Sequence, residues 1–148
     1  MHNRVAVMHG VNLDALDRRP AEHYGGLTFA RLEFKIEQFA RALGLDARFF
    51  HSNHEGEYVE EIHTAPDYAD ALLLNPGAWT HYAWAIRDAV EIAGLPAVEI
   101  HLSDVENREP FRRLSVLEGV CVARVKGEGP DGYRTALRHL RTALGASR

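Results

Sequence analysis

Tyr24 follows Arg18-Arg19 in a glycine-bearing stretch, and Glu99 and His101 stand two apart in an apolar run. These are residue types that move protons. A free tyrosine ionises near pH ~10, so a phenolate base working near neutrality needs cationic help. A loop that carries both an arginine and a tyrosine could supply that help and could close over a substrate. The same residues also read as a surface tyrosine beside two solvated arginines. Two-residue spacing in a strand puts Glu99 and His101 on one face. A carboxylate there orients an imidazole and favours its charged form, which suits a general acid. A structural Glu–His pair at a strand end is the alternative.

Other groups could bind. Ser103 follows His101 on the same face, and the turn after it could offer backbone N–H groups to a carboxylate. The spacing places His81 in the first turn of a helix with Thr80 as N-cap, where the helix dipole favours a neutral imidazole. Binding of a hydroxylated ligand or plain capping would each fit. Asp88, two turns further on, is too far to touch His81 but able to reach a neighbouring subunit. Arg108 and Arg112, spaced i, i+4, could hold the hydroxyls or carboxylate of an anion, or form a solvated basic face. His51-x-x-His54 has metal-ligand spacing, yet no cysteine or carboxylate set completes a tetrahedral site. Cys121 reads as a small hydrophobe in mid-strand. Trp79 and Trp84 read as packing or subunit contact.

Four apolar runs deliver these groups, and each stops at a polar cluster. Val5–Met8 leads into His9-Gly10-Val11-Asn12, and 47–50 into His51-Ser52-Asn53-His54. Ala71–Leu74 leads into Asn75-Pro76-Gly77-Ala78-Trp79-Thr80-His81, and 96–100 into His101-Leu102-Ser103. The pattern predicts strands over 4–8, 46–50, 70–75, 96–102 and 120–125. Helices are predicted from the Thr28 N-cap to Gly44, over 56–64 with Val59 and Ile62 inward, over 80–93, at about 107–114, and over 131–144. Residues 9–27 read as a long functional loop. Alternation of this kind argues for right-handed crossovers and a parallel sheet, an α/β three-layer sandwich of flavodoxin-like order 2-1-3-4-5. Its switch point falls between the first and third strands, where such sheets bind ligands.

Composition narrows the function. At 148 residues, 46% apolar and 26% charged, the chain suits one soluble catalytic domain over 1–148. A net charge of −4 offers no electrostatic footprint for nucleic acid or an anionic membrane. One cysteine excludes an internal disulfide framework and suits a reducing compartment. With no signal peptide and no membrane-length apolar run, a cytoplasmic location is expected. Walker A and Gly-x-Gly-x-x-Gly loops are absent. Asn75 stands where a receiver domain needs aspartate.

Read together, the clusters resemble type II 3-dehydroquinate dehydratase across residues 4–144. His9-Gly10-Val11-Asn12-Leu13 is similar to the family's N-G-P-N-L, and Arg19 with Tyr24-Gly25 to its catalytic loop. Ser52–Glu57 resembles S-N-H-E-G-E, and Asn75–His81 resembles N-P-G-A-x-T-H, with Arg87-Asp88 following. Glu99–Ser103 resembles E-V-H-L-S, Arg108–Arg112 resembles R-E-x-F-R, and Asp131-Gly132-Tyr133 matches D-G-Y.

The resemblance implies trans-elimination of water from 3-dehydroquinate to 3-dehydroshikimate through an enolate, in aromatic biosynthesis or quinate breakdown. No metal, imine or other cofactor is implied. Tyr24 would remove a C2 proton with Arg19 favouring its phenolate, and Asn12 would stabilise the enolate through a water. His101, oriented by Glu99, would protonate the departing hydroxyl. Asn75, Leu102 (by its amide) and Ser103 would bind the carboxylate. His81 and Arg112 would hold ring hydroxyls, and Asp88 would reach across a subunit interface. The implied assembly is a homododecamer, a tetramer of trimers.

Departures from the family pattern are His9, Val11, Asp17, Asp104, Glu106, Leu114 and Val116. The acidic ones are expected to bring negative charge near the pocket or an interface, and Asp17 to weaken the effect of Arg19 on Tyr24. A related lyase or isomerase of another polyhydroxylated acid, or a silent ligand-binding scaffold, are the competing readings.

Overall fold

The central strands alternate their side chains between two apolar cores, and this builds the layers. The computed structural model describes residues 2–24 and 26–146; Gly25, noted above beside Tyr24, lies outside them. The strands are β1 (Arg4–His9), β2 (Asp46–His51), β3 (Ala71–Asn75), β4 (Ala97–His101) and β5 (Ala123–Lys126). The helices are α1 (Ala21–Tyr24), α2 (Phe29–Ala42), α3 (Glu55–Thr64), α4 (Trp84–Ala93) and α5 (Gly132–Ala146). The five strands pair in the order β2-β1-β3-β4-β5, all parallel. Val5, Val7, Leu73, Val98 and Ile100 pack with Leu32 and Ile36 of α2 and Leu137 and Leu140 of α5. Ala6, Met8, Leu72 and Leu74 face the other way, onto Tyr58 and Ile62 of α3 and Ile86 and Val90 of α4. The result is the expected three-layer α/β sandwich. Among the described residues no helix is long and apolar enough to cross a membrane.

Local signals hold where they act locally. The Thr28 hydroxyl accepts the Arg31 N–H at 3.2 Å, capping α2, and Gly94 closes α4 in the left-handed region. Other expectations need correction. The 9–27 loop contains a 3-10 segment, Leu13–Arg18, and the short α1. In α3, Ile62 is buried and Val59 half-buried against the same core, as expected, and Tyr58, not foreseen, is fully buried with them. Two 3-10 turns, Val105–Asn107 and Pro110–Arg113, replace the helix expected at 107–114. β5 starts at Ala123, so Cys121 precedes the strand; burial pushes its thiol up to about 12, which leaves it inert. Trp79 is core, against Tyr58 at 5.3 Å between ring centres, whereas Trp84 is exposed.

The strand ends that form the switch point are pressed together. The Gly10 N–H donates to the Asn75 carbonyl at 2.7 Å, and a Cβ on Gly10 would sit 2.5 Å from the Pro76 oxygen. Backbone on both sides cannot yield cheaply. Gly10→Ala is therefore expected to cost about 1–3 kcal/mol and to lower activity by displacing Asn75. Thermal melting beside an activity assay checks this; an unchanged melting temperature would contradict it.

Candidate active site

A cavity of about 500 Å³ opens beyond the carboxyl ends of β1, β3 and β4, a size typical of small-molecule sites. Its lining brings together Asn12, Arg19, Tyr24, Asn75, His81, His101, Leu102, Ser103 and Arg112 from the sequence reading. Glu99 lies behind His101, outside the lining. Asp88 is exposed on α4 and does not reach the cavity of its own chain. Arg18 and Arg108 complete a strongly cationic wall, and no Asp or Glu is among the described residues that line it. Such a wall selects anions.

Tyr24 sits at the focus of that charge. Its oxygen accepts from the Arg19 guanidinium at 2.5 Å and from Arg108 at 2.9 Å. The Arg19 guanidinium also lies 4.3 Å from the centre of the tyrosine ring. Both donors are permanently charged, so the oxygen faces two positive charges. The sequence had offered Arg108 as a ligand for an anion's hydroxyls or carboxylate, or as part of a solvated basic face, and not as a partner of Tyr24. Arg108 also donates to Ser103 at 3.3 Å, which ties the wall to the end of β4.

The Glu99 carboxylate is almost wholly buried. It meets His101 Nε2 at 2.5 Å, accepts from Ser115 at 2.6 Å and is hydrogen-bonded by Thr80. With Nε2 committed to Glu99, Nδ1 is the His101 nitrogen left to meet a ligand. Burial alone would push the Glu99 carboxyl up, but the hydrogen bonds and charge from His101, with Ser115 and Thr80, hold it down at about 2. A group depressed in the folded state adds stability that is complete above its ordinary value and is lost as pH falls through the folded one. The stability gap between wild type and Glu99→Gln is therefore expected to narrow as pH falls from about 5 towards about 2. Urea midpoints across that range measure it. Asp70, held down by Arg4, titrates in both proteins and cancels.

Thr80 and His81 lie in a 3-10 turn, Gly77–His81, rather than at a helix start, and Ala83 takes the N-cap position of α4. Thr80 turns inward to Glu99 instead of capping. His81 Nδ1 bonds the Leu114 carbonyl at 2.8 Å, so its proton lies on that side and Nε2 is left as an acceptor. Burial first, then the charges of His101, Arg112 and Arg124, outweigh the bond to the Leu114 carbonyl and keep His81 below the usual histidine range. It is neutral as expected, but not because of a helix dipole.

Asn75 accepts from the Gly77 N–H at 3.2 Å and donates to the buried Tyr133 hydroxyl at 3.3 Å, which leaves one amide hydrogen for a ligand. The Leu102 and Ser103 carbonyls accept from Gly129 and Gly127, and this fixes the turn after β4. Asn12 is left-handed, φ 69°, and its N–H donates to Asn53 at 2.8 Å. Asn53, in the Ser52–Glu57 segment, thus clamps the first loop.

The acidic departures stand away from the chemistry. Asp17, Asp104 and Glu106 are exposed and do not line the cavity, and Lys126 pairs with Glu106 at 3.2 Å. Arg19 reaches Tyr24 regardless of Asp17. Val11 lines the cavity, and Val116 joins the second core. His9 is fully buried between Phe29 and Phe49, and burial lowers its basicity. His51 and His54 form no metal site: among the described residues no group of three or more His, Cys, Asp or Glu is placed to hold an ion.

A family model described as dehydroquinase class II matches residues 3–141. The chain is 42% identical over 140 residues to the 3-dehydroquinate dehydratase of Bacillus pumilus, covering 95% of each. Its fold is similar to the type II dehydroquinase from Butyrivibrio crossotus, with a TM-score of 0.89, 35% identity, and 94% and 97% of the two chains covered. The type II dehydroquinase from Propionibacterium acnes is equally similar, at a TM-score of 0.89 and 35% identity over 96% of this chain and 98% of that one.

Proposed function

The chain belongs to the class II dehydroquinase family, and on that premise we propose that its residues form one catalytic domain that dehydrates 3-dehydroquinate to 3-dehydroshikimate, a step of the shikimate pathway. The observation that carries this reading is a phenol oxygen held by two guanidinium groups in the same cavity as a carboxylate-backed imidazole.

A C–H bond beside a ketone is acidic enough for a charge-stabilised phenolate to break. Tyr24 takes the C2 proton, and the electron pair moves into an enolate, which Asn12 steadies through a water. The pair then returns to form the C1–C2 double bond as the C1–O bond breaks. His101 supplies the proton that lets the oxygen leave as water, and solvent resets both groups. Neither step calls for a metal or an imine. Asn75, the Leu102 amide and Ser103 take the substrate carboxylate; His81 and Arg112 take ring hydroxyls.

We place this enzyme in the cytoplasm as a homo-oligomer, a dodecamer built as a tetramer of trimers. Support comes from the outer face of α4, where Trp84 and Ile92 flank Asp88 at helical spacing with 57% and 71% exposure. A partner seated on that face would carry Asp88 towards a neighbouring site.

The test is a panel of polyhydroxylated cyclic acids. The reading expects 3-dehydroquinate to give the highest kcat/KM; a better rate on another acid would replace it with a related lyase or isomerase.

A further inference from the structure

We infer that Arg124 is a positioning residue for proton delivery: it shares Glu99 with His101 and limits how firmly that carboxylate holds the imidazole's proton. The inference rests on the reading of His101 as the acid.

The register of β4 and β5 puts Arg124 directly beside Glu99. Parallel neighbours in register present their side chains on one face. Arg124 Nε lies 3.4 Å from Glu99 Oε2, the same oxygen that meets His101 Nε2 at 2.5 Å. The Glu99 side chain is 1% exposed and that of Arg124 20%.

Arg124 is poorly served as a hydrogen-bonding group. Nε and Nη2 are buried without a hydrogen-bond partner, and Nη1 donates at 3.4 Å to the Arg113 carbonyl. A guanidinium buried in that state costs stability. Nor does Glu99 need it as a donor, since Thr80, Ser115 and His101 already serve both oxygens. What Arg124 adds is charge.

A lone carboxylate would strengthen the hold of His101 on its proton. A second cation on the same oxygen opposes the imidazolium and offsets part of that hold. The proton then passes more readily to a departing hydroxyl. The other titratable groups that face this cluster are Lys126 of β5, in register with His101 and paired with Glu106, His81 from the turn after β3, Arg112, Tyr58 from α3, and Cys121 ahead of β5. Tyr58 and Cys121 stay neutral at working pH, because burial pushes both upward.

The test is the pH profile of kcat for wild type, Arg124→Met and Arg124→Lys. Arg124→Met is expected to carry the alkaline fall of kcat upward by about one pH unit and to lower kcat about tenfold, with KM within about twofold. Arg124→Lys, which keeps the charge, is expected to restore the profile. An unmoved profile in Arg124→Met, or no rescue by lysine, would assign Arg124 to packing and overturn the inference. If Arg124→Met does not fold, Arg124→Gln keeps a donor for Glu99 without charge and is expected to show the same displacement. Failure of both neutral variants to fold would also overturn it. A folded wild type without dehydratase activity would sink the functional reading itself, a different failure.

Discussion

Tyr24→Phe is expected to lower kcat by roughly three to four orders of magnitude while leaving the fold and substrate binding in place. The substitution removes one oxygen, and that oxygen is where the Arg19 and Arg108 guanidinium groups converge at 2.5 and 2.9 Å. No other group with a titratable proton is held in this way among the described residues lining the cavity. Water is a poor substitute base, because nothing fixes it against the carbon acid. KM is expected to change little, since the carboxylate and hydroxyl partners of the substrate lie elsewhere in the cavity. Steady-state kinetics with a circular dichroism spectrum measures this. A variant within tenfold of wild type would remove Tyr24 from the chemistry.

His101→Asn is expected to lower kcat by roughly two to three orders of magnitude, and to do so at a different step. Without the acid, the hydroxyl must leave as hydroxide, but Tyr24 can still remove the C2 proton. The variant should therefore exchange a C2 hydrogen of 3-dehydroquinate with deuterated water faster than it forms product. Proton NMR of the remaining substrate reads the exchange directly. Loss of exchange together with dehydration would mean that His101 acts on deprotonation, against the division of labour proposed here.

Much of this was legible from residue order, and the limits have physical causes. The strand order and crossovers followed from periodicity, because alternating runs of apolar residues act over a few neighbours. The Thr28 cap was legible for the same reason: its partner, Arg31, is three residues away. Thr80 has the same chemistry as a cap, yet its hydroxyl goes to Glu99, nineteen residues on. A tertiary partner outbid a local one, and α4 began later than the sequence pattern suggests. Arg108 bonds a tyrosine 84 residues away. Spacing marked Arg108 as a candidate beside Arg112 but could not say which atom it would meet. Arg124 was read only as a member of the strand over 120–125. Its contact with Glu99 depends on the register of β4 against β5, which no local pattern in the chain specifies. The site residues were legible as types and clusters, whereas their pairings belong to the folded sheet.

The most direct test of the central claim is the ultraviolet absorbance of the conjugated enone formed when purified wild-type protein meets 3-dehydroquinate, repeated with EDTA and with borohydride. Side-chain acid–base chemistry predicts a rise in absorbance that neither reagent suppresses. A flat trace from folded, oligomeric protein would contradict the assignment, and a rise abolished by borohydride or EDTA would replace Tyr24 and His101 with an imine or a metal.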